Sequence, residues 1–362
     1  KKFIESDSSA AEVAGNDFTS NQSVMNFTAS GFRIGSYSKV NVDSAAFCSW
    51  TFRKQPKFFD IVTWTGNGSH PRNIAHNLGY VPGSILIKNL TDGGDDWKVY
   101  HRGIANDAET DYLNLNLTDS SVDNDGPFND TAPTASVFTV GDNSTNQNSQ
   151  NFVAYLFAHH ASDATNTDFG SDGGPVISCG NYTGNDNVVG PSVTLGFEPQ
   201  YLLIKNSQSS VNWFILDSHR GLCEAVPPRI AASDAGAEFS NADNNVIARS
   251  NGFQIRGSGG SFNENNENYI FIAIRRPMGA PTKDLTGVPI SPFSAVTTGT
   301  PDDDVITAFP FRPEYTDMVM FAKRGGDARN FQIADRVRGF QSTSTNSDDG
   351  YVTPTLSTQS TA

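Results

Sequence analysis

The stretch Val81–Asn89, Val-Pro-Gly-Ser-Ile-Leu-Ile-Lys-Asn, is the most informative part of the sequence because the chain repeats it. Related stretches are Glu198–Asn206, Glu-Pro-Gln-Tyr-Leu-Leu-Ile-Lys-Asn, and Met318–Arg324, Met-Val-Met-Phe-Ala-Lys-Arg. The lysine of each stretch recurs at intervals of 117 and then 118 residues. Self-similarity at a fixed period indicates tandem copies of one structural unit.

Further landmarks recur around this stretch in a constant order. Upstream, Trp64-Thr-Gly-Asn67 matches Tyr182-Thr-Gly-Asn185. Downstream, Trp97, Trp213 and Phe331 occupy one position, and an Arg-Gly pair follows each of them. The second half of the unit repeats too, with a closing apolar run at Phe47–Arg53, Phe152–Phe157 and Tyr269–Arg275. The whole chain is therefore covered by one repeating pattern.

The order of the landmarks predicts the domain boundaries. Residues 57–165 and 173–277 carry every landmark and are predicted to be complete repeats. Residues 1–56 match only the second half of a repeat, and residues 295–362 match only the first half. Residues 278–294 contain three prolines and are predicted to form a stiff linker.

The two half-repeats could complete each other, or the parent chain could be longer than this sequence. We expect the second, because Lys2–Val13 and Tyr351–Ala362 occupy the same phase of the repeat and would overlap.

Short apolar runs separated by turn clusters predict β-strands throughout. Examples of the runs are Ser84–Ile87 and Tyr201–Ile204, and examples of the turn clusters are Asp92–Asp95 and Gly257–Gly260. The chain has 25 Phe against 4 Met and is rich in turn-forming residues, a composition that favours strands. About seven or eight strands in a unit of roughly 115 residues predict an all-β fold of tandem antiparallel, jelly-roll-like β-sandwiches.

Bulk properties narrow the classes of function. The net charge is −14, whereas a duplex-binding surface needs concentrated positive charge, so we expect no nucleic-acid partner. No apolar run approaches the ~20 residues of a membrane-spanning helix, so we expect no membrane insertion. The three cysteines, Cys48, Cys179 and Cys223, are sparse and odd in number, which argues against a disulfide framework.

The motifs that invite a catalytic or metal-binding interpretation are weak. His101-Arg102-Gly103 and His219-Arg220-Gly221 resemble a catalytic pair, but the third copy reads Val337-Arg338-Gly339. We therefore interpret Arg-Gly as structural, with the arginine pairing a carboxylate or backbone carbonyls. His159 and His160 are adjacent on a strand, where neighbours point to opposite faces. We expect no catalytic residues, no cofactor and no metal.

An acidic loop leaves one alternative open on metals. Asp119, Asp123, Asp125 and Gly126 resemble a calcium loop, but Ala132 stands where the EF-hand pattern requires Glu. An irregular calcium site there, or at Asp302–Asp304, remains the alternative to a solvated acidic loop.

Three aromatic residues are candidates for stacking on a sugar, namely Trp64, Tyr80 and Tyr182. Each belongs to a segment that borders a predicted turn. The competing interpretation for each is packing in the core or in a turn.

Several longer strings resemble a known group of proteins. They are Trp50–Pro56 followed by Phe58–Gly68, His76–Gly83, Phe152–His159 and Ile272–Pro277. Together they resemble an uncharacterised tandem domain of virion structural proteins, often described as tail-fibre-like, from tailed marine bacteriophages. The resemblance covers nearly the whole chain and brings no catalytic residues with it.

The resemblance implies a function that the residues alone do not. It implies a fibre or appendage on the virion surface that assembles with copies of itself, as in homotrimeric fibres, and with other virion proteins. It also implies attachment to a host-surface glycan or protein. Two alternatives remain, a capsid decoration protein and a carbohydrate-binding or depolymerase module.

Overall fold

The protein forms two compact units, Lys1–Pro277 and Met278–Ala362. The structure is a computed structural model. It describes residues 2–14, 24–28, 31–34, 47–50, 52, 54–104, 108–159, 175–222 and 226–275, and the strands 318–321, 332–335 and 342–344. The unit boundary falls where the sequence predicts the start of the linker, and each unit is described by itself.

Strands dominate the described residues. They are β1 Lys2–Phe3, β2 Val13–Ala14, β3 Val24–Thr28, β4 Gly31–Ile34, β5 Phe59–Thr65, β6 Arg72–Ala75, β7 Pro82–Asn89, β8 Lys98–His101, β9 Asp111–Asn114, β10 Val122–Asp123, β11 Val137–Val140, β12 Asn151–Ala158, β13 Ile177–Thr183, β14 Val189–Thr194, β15 Pro199–Asn206, β16 Phe214–Asp217, β17 Ile230–Ala231, β18 Asn245–Arg249, β19 Gly252–Arg256, β20 Asn268–Arg275, β21 Met318–Phe321, β22 Gln332–Asp335 and β23 Ser342–Ser344. The described helical elements are one short α-helix, α1 Asn143–Asn146, and a 3-10 turn, Ser218–Arg220.

Two sandwiches with corresponding strand orders make up most of the first unit. The first sandwich, β5 to β12, has a long sheet in the order β10-β9-β8-β7-β12-β5 and a short sheet of β11 and β6. The second sandwich, β13 to β20, has a long sheet in the order β13-β20-β15-β16-β17 and a short sheet β14-β19-β18. All the pairings are antiparallel. The predicted all-β, antiparallel sandwich fold is confirmed.

The central strand of each long sheet is the stretch that repeats in the sequence. It follows a Leu-Gly turn in which Gly79 and Gly196 have φ of 66° and 83°, a conformation that favours glycine. The strands begin at Pro82 and Pro199, where proline has no ladder hydrogen bond to lose. The sequence thus starts the central strand in the same way in both sandwiches.

The long sheets are buried on both faces, and strand periodicity separates the faces. In the second sandwich, Leu202, Ile204 and Phe214 point into the core against the short sheet. Their neighbours Leu203 and Ile215 point outward and belong to the hydrophobic cluster of the first sandwich. Because side chains alternate along a strand, one face forms the sandwich core and the other packs on the neighbouring repeat. This second side is called the outer face below.

The two end regions differ from complete repeats. Lys2–Phe3 pairs with Val13–Ala14, and β3 pairs with β4. Residues 47–50, part of a predicted closing strand, lie in no regular element. In both sandwiches the closing strand is hydrogen-bonded on each side by strands from the first half of its repeat, and residues 1–56 match only a second half. The second unit contains one antiparallel sheet, β21-β22-β23.

Candidate functional site

The outer face of the first sandwich holds a hairpin formed by residues 2–14. The indole Nε1 of Trp97 donates to the carbonyl of Glu5 at 2.9 Å. Lys88 Nζ donates to the carbonyl of Ser9 at 2.7 Å, and the Glu12 amide donates to the Leu90 carbonyl at 3.0 Å. These three hydrogen bonds join the hairpin to the sheet through the hairpin's backbone.

The outer face of the second sandwich holds residues 111–123 of the first sandwich in the same way. Trp213 Nε1 donates to the Asn114 carbonyl at 2.9 Å, and Lys205 Nζ donates to the Thr118 carbonyl at 2.9 Å. The Ser121 amide donates to the Ser207 carbonyl at 2.7 Å. The acceptor carbonyls are four residues apart in both cases, and the donor amide follows three residues later. We call residues 2–14 and 111–123 docking hairpins.

The docking hairpins also share their own internal pairing. Phe3 pairs with Val13 in one, and Tyr112 pairs with Val122 in the other. The partners are ten residues apart in each case. In the internal repeat, residues 1–56 match the second half of a unit. The hairpin 2–14 is the element by which this half-repeat contacts the next sandwich.

The two lysines carry positive charge into places with little water. Their side chains are fully buried. Burial lowers the pKa of Lys205 to about 8, although Asp119 and Glu267 act in the opposite direction. Burial also lowers the pKa of Lys88, which has three acidic neighbours, Asp92, Asp95 and Asp96. Backbone carbonyls are the direct partners of both ammonium groups, which limits the cost of burying them.

Apolar packing covers the rest of the contact between the sandwiches. Trp213 is 2% exposed, and its indole spans the contact to reach Asn114. The second sandwich adds an aliphatic set from its outer face to the cluster of the first sandwich, namely Ile177, Cys179, Leu203, Ile215, Ile270, Ile272 and Ile274. The sandwiches therefore share one continuous hydrophobic cluster, which favours their association.

His101 of the His-Arg-Gly motif belongs to this contact. Its Nε2 lies 3.0 Å from the Phe271 carbonyl of the second sandwich, and its Nδ1 accepts from the Gly103 amide. The tautomer is therefore the one that carries the proton on Nε2. Burial lowers the pKa of His101 to about 3, so the ring is neutral at physiological pH. Asn268 Nδ2 adds a hydrogen bond to the Gly103 carbonyl at 3.0 Å.

Arg220, in the second copy of the motif, has the structural role that the sequence predicts. Its guanidinium group pairs with Asp217 at 2.7 Å and Glu238 at 3.0 Å, and it donates to the Ile215 carbonyl. It also lies over the ring of Trp50. A cleft of about 570 Å³ lies beside this group, between residues 47–58 and the second sandwich. The side chain of His219 lies outside the described residues.

The sugar-stacking candidates lie elsewhere. Trp64 stacks on Phe152, and its Nε1 donates to the Thr145 carbonyl. Tyr182 stacks on Tyr269, and its hydroxyl donates to the Phe262 carbonyl. Both are buried in sandwich cores, where one face of each ring stacks on a neighbouring ring. Tyr80 is partly buried and packs on the first core.

The acidic loop and the cysteines show no assembled site in the described part of the chain. No group of three or more His, Cys, Asp or Glu residues there is arranged to hold a metal ion. Cys48 is exposed and Cys179 is buried, and both are free thiols. Cys223, His160 and Asp302–Asp304 lie outside the described residues. No helix in the described residues is long and apolar enough to span a membrane.

Comparison with known families places the chain. A family model described as a domain of unknown function, DUF7483, matches residues 1–276. The chain belongs to this family. No curated protein and no solved structure matches the chain. The family match covers both sandwiches and both docking hairpins described above, so the repeat contact lies inside the family domain.

The sequence marks some of these residues without showing their role. Lys88, Lys205, Trp97 and Trp213 were landmarks of the repeat, but nothing local shows that they bind the preceding repeat. A lysine that recurs at a fixed position in an otherwise apolar strand does indicate a contact, because a buried charge needs hydrogen-bond partners. The bond from His101 to a backbone carbonyl of the next sandwich had no signal in the sequence.

Proposed function

We propose that this chain is a virion structural protein of a tailed bacteriophage, a fibre or appendage on the particle surface built from docked β-sandwich repeats. The observation that supports a structural role best is the repeated docking contact. Two successive contacts use a lysine, an indole and a backbone carbonyl at matching positions. Such a contact makes the chain a series of joined repeats, in which neighbouring units stabilise each other.

The location on a virion rests on the resemblance of the sequence to tail-fibre-like phage proteins. The contacts between repeats favour a scaffold over an enzyme, because the histidine and arginine of the His-Arg-Gly motifs make structural contacts. His101 is neutral and bonded to a backbone carbonyl, and Arg220 is paired with two carboxylates. Assembly with other virion proteins and attachment to a host-surface glycan or protein complete the proposal.

The test is to locate the protein on purified virions. Antibodies against the full chain, followed by cryo-electron microscopy of labelled and unlabelled particles, are expected to mark multi-lobed projections at the tail or at sparse capsid positions. Density lying flat over every capsomer junction would replace the fibre by a decoration protein. Absence of the chain from purified virions, by mass spectrometry, would reject a virion role and favour a carbohydrate-active module.

A further inference from the structure

The second sandwich carries a segment that matches the two docking hairpins. Arg229 and Phe239 form an antiparallel bridge with two hydrogen bonds, of 2.9 and 3.1 Å. These residues are ten apart, as are Phe3 and Val13 in the first docking hairpin. The match places residues 229–239 in the position that residues 112–122 occupy in the first sandwich.

The attachment of this segment to its own sandwich is also the same. The Leu115 amide donates to the Trp97 carbonyl, and the Ala232 amide donates to the Trp213 carbonyl. The backbone amide of each tryptophan also donates to the side chain one residue further along the hairpin. Trp97 donates to Asn116 Oδ1, and Trp213 donates to Ser233 Oγ. The segment is therefore a third copy of the hairpin in geometry as well as in position.

The third hairpin has a rigid base. The Arg229 guanidinium lies 4.8, 4.7 and 5.0 Å from the ring centres of Phe214, Phe239 and Phe262, and its Nη1 donates to the Asn244 carbonyl. Cation–π contacts of a desolvated arginine stabilise this arrangement. A hairpin that is held in its bound shape loses less entropy on docking.

The third hairpin differs from the other two in what covers it. Residues 234–243 are all exposed, and Glu238 is exposed where its equivalents in the occupied hairpins, Glu12 and Ser121, are partly buried against the next sandwich. The positions equivalent to the Ser9 carbonyl and the Glu12 amide are the Ala235 carbonyl and the Glu238 amide. Within the described residues neither of these groups makes a hydrogen bond.

We infer that residues 229–239 form a third docking hairpin, whose partner is the outer face of a further sandwich of this repeat type. That partner presents a buried lysine to the Ala235 carbonyl and a strand-end carbonyl to the Glu238 amide. The inference rests on the structural role proposed above and extends it, because it names the surface by which the array continues beyond the second sandwich. The docking atoms of the two occupied hairpins are backbone atoms, so differences in side chains do not prevent a third docking.

Hydrogen exchange of the full chain, followed by mass spectrometry, tests the inference. The amides of residues 234–238, which precede the internal bridge at Phe239, are expected to exchange at least about tenfold more slowly than an unstructured peptide of the same sequence, as those of residues 117–121 should. Glu238→Pro, which removes the docking amide, should abolish the protection. Glu238→Ala keeps the amide and serves as the control for losing the ion pair with Arg220. Ser121→Pro calibrates the effect on an occupied hairpin.

Both outcomes are decisive. Slow exchange that Glu238→Pro removes and Glu238→Ala preserves supports the inference. A dilution series then tells whether the partner sandwich is on a second copy of the chain, in which case protection falls on dilution, or on the same polypeptide. Fast exchange of residues 234–238 at every concentration, with residues 117–121 still protected, would overturn the inference. The role of the first two hairpins, and the virion test, would be unaffected by that result.

Discussion

The two contacts between repeats, called joints below, use the same hydrogen bonds but bury different partners. In the first joint, the outer face of the first sandwich meets the hairpin 2–14, which Trp97 and Lys88 hold by its backbone. In the second joint, a matching hairpin is only one part of the contact. His101, Gly103 and Ala158 of the first sandwich also bond to Phe271, Asn268 and Cys179 of the second.

This difference shows what the shared hydrogen bonds can and cannot do. They fix the position of a hairpin on a sheet, and they are the same where the hairpin comes with a complete sandwich and where it comes from a half-repeat. The aliphatic residues of the second joint, such as Ile215 and Ile272, supply the apolar area that joins two sandwiches into one cluster. The position of the hairpin on the sheet and the strength of the contact between the sandwiches are therefore set by different residues.

The largest expected effect is that of Trp213→Ala. Truncation of a buried tryptophan costs about 3–5 kcal/mol, and here the loss falls between two sandwiches. We expect calorimetry to show two unfolding transitions for Trp213→Ala in place of one shared transition. Trp97→Ala should lower stability in the same range, but it should leave the two sandwiches unfolding together. Two transitions for Trp97→Ala and one for Trp213→Ala would contradict the assignment of the joints.

Replacing either of the two buried lysines should lower the stability by a smaller amount. Lys88→Met and Lys205→Met each remove hydrogen bonds to carbonyls from a charged donor, worth about 1.5–3 kcal/mol each before the relief of burial is subtracted. Lys88→Met leaves three carboxylates, Asp92, Asp95 and Asp96, without the nearby positive charge, whereas Lys205→Met leaves two. We expect it to destabilise the protein more than Lys205→Met at pH 7, by urea unfolding. Equal losses would mean that the three carboxylates near Lys88 stabilise it no more than the two near Lys205 stabilise that lysine.

The third expected effect is a dependence of stability on pH. Because the pKa of Lys205 is about 8 in the folded protein and near 10.5 when unfolded, the unfolded state binds more protons between these values. Stability should therefore rise with pH from about 8 to about 10.5 through this residue. The measurement is the difference in unfolding free energy between wild type and Lys205→Met at several pH values. A flat difference would show that Lys205 titrates normally.

The sequence predicted the architecture well and the joints poorly. Alternating apolar residues, turn clusters and Leu-Gly turns were enough for an all-β fold with one repeating unit, because these signals are local. Trp64 and Tyr182 could not be assigned from their neighbours along the chain. Their ring partners are Phe152 and Tyr269, 88 and 87 residues away along the chain, and only folding brings these residues together.

The sequence by itself determined the period of the repeat, the strand-forming segments and the net negative charge. The tertiary structure alone decided that Lys88 and Lys205 bind the preceding repeat and that His101 reaches Phe271. It also decided that the outer part of one hairpin of the same type, residues 234–239, is exposed. The physical reason is that strand periodicity records which residues lie on one face of a sheet. The partner of that face is set by contacts across the chain, between atoms as far apart in sequence as His101 and Phe271, 170 residues.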